Sequence, residues 1–206
     1  MPLFLFNKMY KINPPIINQF LTEEDPLNLE FNKGIKQKKR YKIKVRKKII
    51  YYIDLHYYEK YVFLKYFPAK HNNNPDKFKI VGLGLKISEV RGIIHTCTEI
   101  IKIEFSQNNS FHYAIIGQPY DKDDELNRIE SIRFSIYKKQ ISTFISAEKL
   151  THLNIPLINF YAISLKDKNE MELDLSSLFL EIDGTKFLEE CLTKEGRLLL
   201  QELGVS

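Results

Sequence analysis

Cysteine is scarce: the 206 residues hold only Cys97 and Cys191. There is no CxxC pair and no cysteine–histidine cluster at metal-ligand spacing, so the common zinc modules are excluded and no metal is expected. Both cysteines fall on the apolar faces of predicted helices, as expected of buried, reduced thiols. No apolar run approaches the roughly 20 residues that span a bilayer, so no membrane association is expected. The apolar start, Met1–Phe6, is too short for the central region of a signal peptide and lacks a small-residue cleavage pattern. The expected location is cytoplasmic. No Ser-His-acid triad and no paired carboxylates stand out, and there is no internal repeat or low-complexity tract.

What is present suits one domain with an appendage, or two small domains. A hydrophobic content of 44% provides an ordinary core, and 28% charged residues provide a polar surface. The net charge of +5 is unevenly spread: ten of the sixteen residues from Lys33 to Lys48 are Lys or Arg, and the rest of the chain holds 21 basic against 26 acidic residues. Such a strip, with Lys38, Lys39, Arg40 and Lys42 at its centre, can meet phosphate groups of a nucleic acid or an acidic protein. The plainer reading is a half-buried strand: Tyr41, Ile43 and Val45 alternate with Lys42, Lys44 and Arg46. Lysines on an edge strand also prevent pairing with other chains.

Residues 1–32 carry Pro2, Pro14, Pro15 and Pro26 with little periodicity, which reads as an N-terminal arm. β-Branched and aromatic residues then predict strands at Tyr41–Arg46, Ile49–Tyr57 and Tyr61–Phe67. His71–Asp76 reads as a loop and Phe78–Leu85 as a fourth strand, where Gly82 and Gly84 suggest a bulge or a close backbone approach. Ser88 is a credible N-cap for a helix with Glu89 in its first turn. Its apolar stripe is Val90, Ile93, Ile94, Cys97, Ile100, Ile101 and Phe105, and it should end near Gln107–Asn109. Phe111–Ile116 reads as a buried strand followed by Gly117. A second helix is predicted from about Asp124, with Leu126, Ile129, Ile132, Ile136, Ile141 and Phe144 inward and Arg133 and Tyr137 on its flank. Leu157–Leu165 reads as a strand. Helical spacing returns at Leu175–Ile182, and a final helix is predicted from Thr185 to about Leu203, weakened by Gly196.

The expected fold class is therefore α+β: a mixed, largely antiparallel sheet with two main flanking helices in the order β-β-β-β-α-β-α-β, plus C-terminal helices. The expected division is an arm over 1–32, a core over 33–168 and a helical extension over 169–206.

Arg133 and Tyr137 lie four residues apart and share a helix face. If that face lines a cleft beside Gly117, Arg133 can bind an anionic group and Tyr137 can donate a proton. The plainer alternative is a packing tyrosine with Arg133 paired to Glu130 or Asp123. Asp54 and His56 share one face of a strand and can orient an amine, although polar residues on an outer face are ordinary. His95 reads as a structural histidine. The aromatic run Tyr51, Tyr52, Tyr57, Tyr58, Tyr61, Phe63, Tyr66 and Phe67 lies beside the basic strip, and such mixtures can stack bases and hold phosphates on a sheet.

The element order over Tyr41–Leu165 resembles the central part of the GCN5-related N-acetyltransferase fold. That resemblance implies binding of acyl-coenzyme A or a similar nucleotide, with or without turnover. By its pattern, Gly82 and Gly84 lie on the strand that holds the cofactor, Arg91 and Gly92 in the first helical turn that receives the pyrophosphate, and Tyr137 at the position that protonates the departing thiolate. The chain departs from the family's pyrophosphate loop, because Ile93 and Ile94 stand where small residues are usual, and it has no glutamate on Phe78–Leu85 to act as a general base. The stretch is also similar to small uncharacterised proteins common in Bacteroidetes, through Thr96-Cys97, Phe111–Gly117 and Arg133–Tyr137. The alternative expectation is a non-enzymatic module for nucleic acid or an acidic protein, in a defence or toxin–antitoxin setting.

Overall fold

The computed structural model describes residues 9–21, 35–74, 77–78, 80, 84–117, 126–145, 150–165 and 192–202. Alternation makes β2 (Gln37–Arg46): Tyr41 and Ile43 are buried while Lys42 and Lys44 are exposed. The nearly continuous apolar runs of β3 (Ile49–Tyr57) and β4 (Tyr61–Pro68) are buried on both faces, so these strands lie inside the sheet. An edge strand, β1 (Ile17–Phe20), pairs with β2 from Ile17↔Arg40 to Phe20↔Gln37. The other strands are β5 (His112–Ile116), β6 (Leu150–Ile155) and β7 (Phe160–Leu165). The seven form one sheet in the order β1-β2-β3-β4-β5-β7-β6. Every neighbouring pair is antiparallel except β4–β5.

Helices α1 (Ile87–Gln107) and α2 (Ile132–Phe144) supply Ile93, Ile94, Cys97, Ile100, Phe134, Tyr137 and Ile141 to the core on one face of the sheet. The opposite face carries a second cluster around Tyr61, Phe63, Phe160 and Leu192, next to α3 (Lys194–Glu202). The class is α+β, with a mixed, largely antiparallel sheet. No helix among the described residues is long and apolar enough to cross a membrane.

Several elements differ from the sequence reading. Of the stretch Phe78–Leu85 that reads as a strand, the described residues Phe78, Ile80, Gly84 and Leu85 lie in no strand; Lys79, Val81, Gly82 and Leu83 are outside the described residues. The position beside β5 is taken by Tyr61–Pro68, and Ile17–Phe20 from the proline-bearing arm brings the strands before α1 to four among the described residues. Helix α1 starts ahead of Ser88, because the Glu89 carboxylate takes the Lys86 N–H at 2.7 Å and performs the capping. Helix α2 begins at Ile132 rather than Asp124, since Ser131 Oγ accepts the Phe134 N–H at 3.1 Å. Its inner face is Phe134, Tyr137 and Ile141; Leu126, Ile129 and Ile136 are exposed. Strand β7 starts at Phe160 after a 3-10 turn over Pro156–Ile158, and β6 is a strand that the sequence pattern does not announce. The predicted helix over Leu175–Ile182 and Cys191 fall outside the described residues.

Beneath α1, the nearly buried Glu104 accepts hydrogen bonds from the Tyr57 hydroxyl (2.6 Å), Lys39 Nζ (2.5 Å) and the Tyr41 hydroxyl. Burial pushes the Glu104 carboxyl up, but these three donors outweigh it and hold the group below its ordinary 4.5. A carboxyl lowered by folding stabilises the protein above that value and loses this contribution as pH falls through its folded pKa. Glu104→Gln is expected to lower stability at pH 7 by about 1–3 kcal/mol. Urea unfolding at pH 7 and pH 4 should show the gap between variant and wild type narrowing in acid.

Candidate functional site

The parallel pair comes apart at its carboxyl ends. Strands β4 and β5 are in register from Tyr61↔His112 to Leu64↔Ile115. Beyond that, β4 stays with β3 as far as Tyr51↔Pro68, while β5 stays with β7 through Ile116↔Phe160. The gap between the two halves is lined by Leu64, Lys65, Tyr66, Phe78, Ile116, Arg133 and Tyr137. Crevices at the carboxyl ends of parallel strands are common ligand sites in open sheets. The enclosed part holds about 30 Å³, so only the tip of a larger ligand would enter it.

A buried polar joint aims α2 at this cleft. Asn159, in the left-handed region at φ 50°, accepts the Ser131 N–H on Oδ1 at 2.6 Å and the Gly117 N–H on its carbonyl at 2.9 Å. The Ser131 hydroxyl donates to the Gly117 carbonyl while capping α2. The end of β5, the start of β7 and the start of α2 are thereby tied together. Arg133 and Tyr137 project from the first two turns of α2. Arg133 Nη1 donates to the Phe78 carbonyl at 3.1 Å. Glu130, which the plainer reading offered as a partner for Arg133, binds Lys138 at 2.7 Å. The Tyr137 ring meets Tyr66 at 6.0 Å between centroids. Burial, then the neighbouring Tyr137, pushes the Tyr66 hydroxyl well above its ordinary value.

On the opposite face of the sheet, register builds a polar grid. Lys38 stands across from His56, which stands across from Phe63; Arg40 stands across from Asp54, which stands across from Lys65. Asp54 is fully buried and receives Arg40 Nε at 2.6 Å and Nη2 at 2.7 Å, with Lys38 Nζ at 3.3 Å. The Arg40 guanidinium lies over the Tyr52 and Phe67 rings and reaches Asn72 Oδ1 at 2.7 Å. Burial raises the Asp54 carboxyl, but the Arg40 bonds prevail and hold it well below its ordinary range. Burial pushes the His56 imidazole down to about 4, so it is neutral at pH 7. The reading of Asp54 and His56 as ordinary outer-face residues is corrected: both are buried.

The structure brings together Arg133 and Tyr137, but not the rest of the expected cofactor set. Gly84 is exposed in the turn before α1 at φ +73°, and its carbonyl accepts Arg46 Nη2 at 3.4 Å. Arg91 is half-buried; Gly92 is buried, and its carbonyl accepts the Thr96 hydroxyl, which in turn accepts the Tyr10 N–H. None of these three lines the cleft. The start of α1 holds the chain's own anion, because Glu89 also pairs with the Arg46 guanidinium, which pulls its carboxyl down to about 2.

The basic strip is divided by strand parity. Lys38 and Arg40 turn onto the Asp54 face and are buried, Lys39 turns to Glu104, and Lys42 is exposed. Sequence reasoning passed over Lys65, Lys77 and Phe78. It also undervalued Asp54 and His56, although two polar residues inside so apolar a strand signal burial with partners. Comparison of the chain with protein-family models, with curated proteins and with solved structures gives no match.

Proposed function

We propose that the chain is an acetyltransferase-like module that binds acyl-coenzyme A or a similar nucleotide. One observation carries this reading: the single parallel pair in the sheet parts at its carboxyl ends, and the helix following β5 presents Arg133 and Tyr137 to the gap. The reading is supported by four strands ahead of α1 among the described residues, β5 after it and Tyr137 on the helix that follows β5, which accord with the resemblance to GCN5-related N-acetyltransferases, although Ile17–Phe20 stands in for the expected strand at Phe78–Leu85 and β6 is additional. The thioester end would enter the cleft, and the diphosphate would meet the start of α1 near Gly84, Arg91 and Gly92, with Gly82 beyond the described residues. Glu89 must then yield the Lys86 N–H, leaving Arg46 beside the phosphates.

In a turnover, an amine nitrogen attacks the thioester carbonyl carbon. The C–N bond forms, the C–S bond breaks, and the Tyr137 hydroxyl gives its proton to the departing sulfur. The proton lost by the nitrogen passes through solvent and restores the phenol. Isothermal calorimetry with acetyl-coenzyme A tests the binding, and absence of heat at ligand concentrations in the hundreds of micromolar rejects it. Tyr137→Phe is expected to retain binding and to lower any kcat by about 100-fold. An unchanged kcat would remove Tyr137 from the mechanism.

A further inference from the structure

The basic strip is spent unevenly, and what the fold leaves over lies at the turn end of the β2–β3 hairpin. Both arginines are consumed: Arg40 grips Asp54 through Nε and Nη2, and Arg46 grips Glu89 through the same two nitrogens. Lys38 and Lys39 are held by Asp54 and Glu104. A bulge decides the Arg46 pairing. Lys44 stands across from Ile50 but Arg46 across from Ile49, so Val45 is an extra residue and the strand changes face there. Arg46 joins Ile49 on the side of α1, while Lys42 and Lys44 stay on the opposite side, across from Tyr52 and Ile50. Lys47 and Lys48 form the turn. Lys70 follows β4, whose last residue, Pro68, stands across from Tyr51, so it is carried to the same end of the sheet. These five lysines are exposed, and none forms an ion pair with a carboxylate among the described residues.

We propose that this end of the sheet, through Lys42, Lys44, Lys47, Lys48 and Lys70, binds the phosphate backbone of a nucleic acid without regard to base sequence. Like charges held together on a rigid scaffold build a positive potential that a chain of anions relieves. The residue type selects the anion. Lysine is a point charge without a fixed fork, suited to phosphate contact and not to reading base edges. Arginine, which reads guanine in the major groove and is enriched at protein–protein interfaces, is already paired at both of its places in the strip. Lysine is depleted at such interfaces, so an acidic protein is the poorer fit. Two residues of strand rise set Lys42 and Lys44 about 6.5 Å apart on one face, enough to meet separate phosphates. Lys38, Lys39 and Arg40, the centre of the strip in sequence, take no part, because their charges are spent inside the fold. None of the five lysines lines the cleft, so this surface stands whether or not acyl-coenzyme A binds.

The test is fluorescence anisotropy with labelled DNA of two unrelated sequences, each as single strand and as duplex, over a series of salt concentrations. Binding of either form is expected, with log K falling against log salt at a slope of about −3.5 on single strands or about −4.5 on duplexes for five phosphate contacts. Lys42→Gln combined with Lys44→Gln should weaken binding about tenfold, equally on both sequences, and flatten the slope by about 2. Lys47→Gln combined with Lys48→Gln should do the same. Lys36→Gln combined with Lys139→Gln removes as much charge from exposed positions at the other end of β2 and on α2, and should change neither quantity. Absence of binding, an equal loss in that control pair, or a strong preference for one sequence overturns the proposal. So does binding of poly-glutamate or of phosphatidylserine vesicles as tight as that of DNA at the same salt, which would reassign the surface to an acidic protein or a lipid headgroup. Calorimetry that fails with acetyl-coenzyme A would leave this result intact.

Discussion

Asp54→Ala is expected to lower the unfolding free energy by about 3–5 kcal/mol, the range for breaking a buried ion pair by removing one partner. Asp54 has no exposed surface and is the carboxylate that balances Arg40 and Lys38, each only 6% exposed. Its loss leaves two cations in a low-dielectric site beside Lys65 and Lys77. Urea unfolding at pH 7 measures the effect, and adding Arg40→Met should recover part of it, because both charges of the strongest pair are then gone. A loss below about 1 kcal/mol would mean that Asp54 behaves as a surface ion pair. The same cluster shapes the acid limb. Burial, with Lys65 and Lys38 adding to it, lowers His56 against the opposing pull of Asp54, so the folded state resists its protonation. Stability should decline as pH falls from 6.5, the ordinary histidine value, and level off near 4. A shift of that size amounts to about 3 kcal/mol. The His56→Gln variant should show a flatter profile across that window. Asp54 acts lower: its depressed carboxyl contributes above its ordinary 3.8, and that contribution is lost in stronger acid.

Gly117→Ala should be the most damaging small substitution near the cleft. An added Cβ would lie 2.5 Å from Phe134 Cα and 2.6 Å from Phe134 N, both backbone atoms that cannot turn aside. Either β5 or the first turn of α2 must shift, and the joint of Gly117, Ser131 and Asn159 loses its fit. The expected loss is about 3 kcal/mol, the upper part of the usual overpacking range. Arg133 and Tyr137 would move with the helix, so acetyl-coenzyme A affinity should fall even under conditions where the variant is fully folded. Calorimetry on the folded variant, alongside urea unfolding, separates the two effects. Gly84→Ala is the contrast. Space is open there, and only the positive φ resists a side chain, so about 1 kcal/mol is expected with no change at the cleft. A Gly117→Ala protein as stable as wild type would show that α2 is not seated on β5 as described.

Local pattern reached part of the candidate site. The four-residue spacing of Arg133 and Tyr137 placed them on one helix face, and Gly117 marked the strand end that faces them. The same reasoning set the start of α2 near Asp124, because Leu126 and Ile129 extend the apolar spacing. Both are exposed, and Ser131 caps the helix instead. Lys65, Lys77 and Phe78 were not legible. They come from a strand and a loop that meet only across the folded sheet.

The amino-acid order alone determined β2, β3 and β4, the stripe of α1 and the buried run of β5, since period and turn residues are encoded within a few neighbours. It left open that Ile17–Phe20 and Leu150–Ile155 join the sheet, because an edge strand has few residues to bury and a weak pattern. Nor could it say which lysine of the basic strip faces Asp54, which faces Glu104 and which faces water. Tertiary pairing decided those, through cross-strand register and the parting of β4 from β5, because they depend on residues distant in sequence competing for the same neighbours.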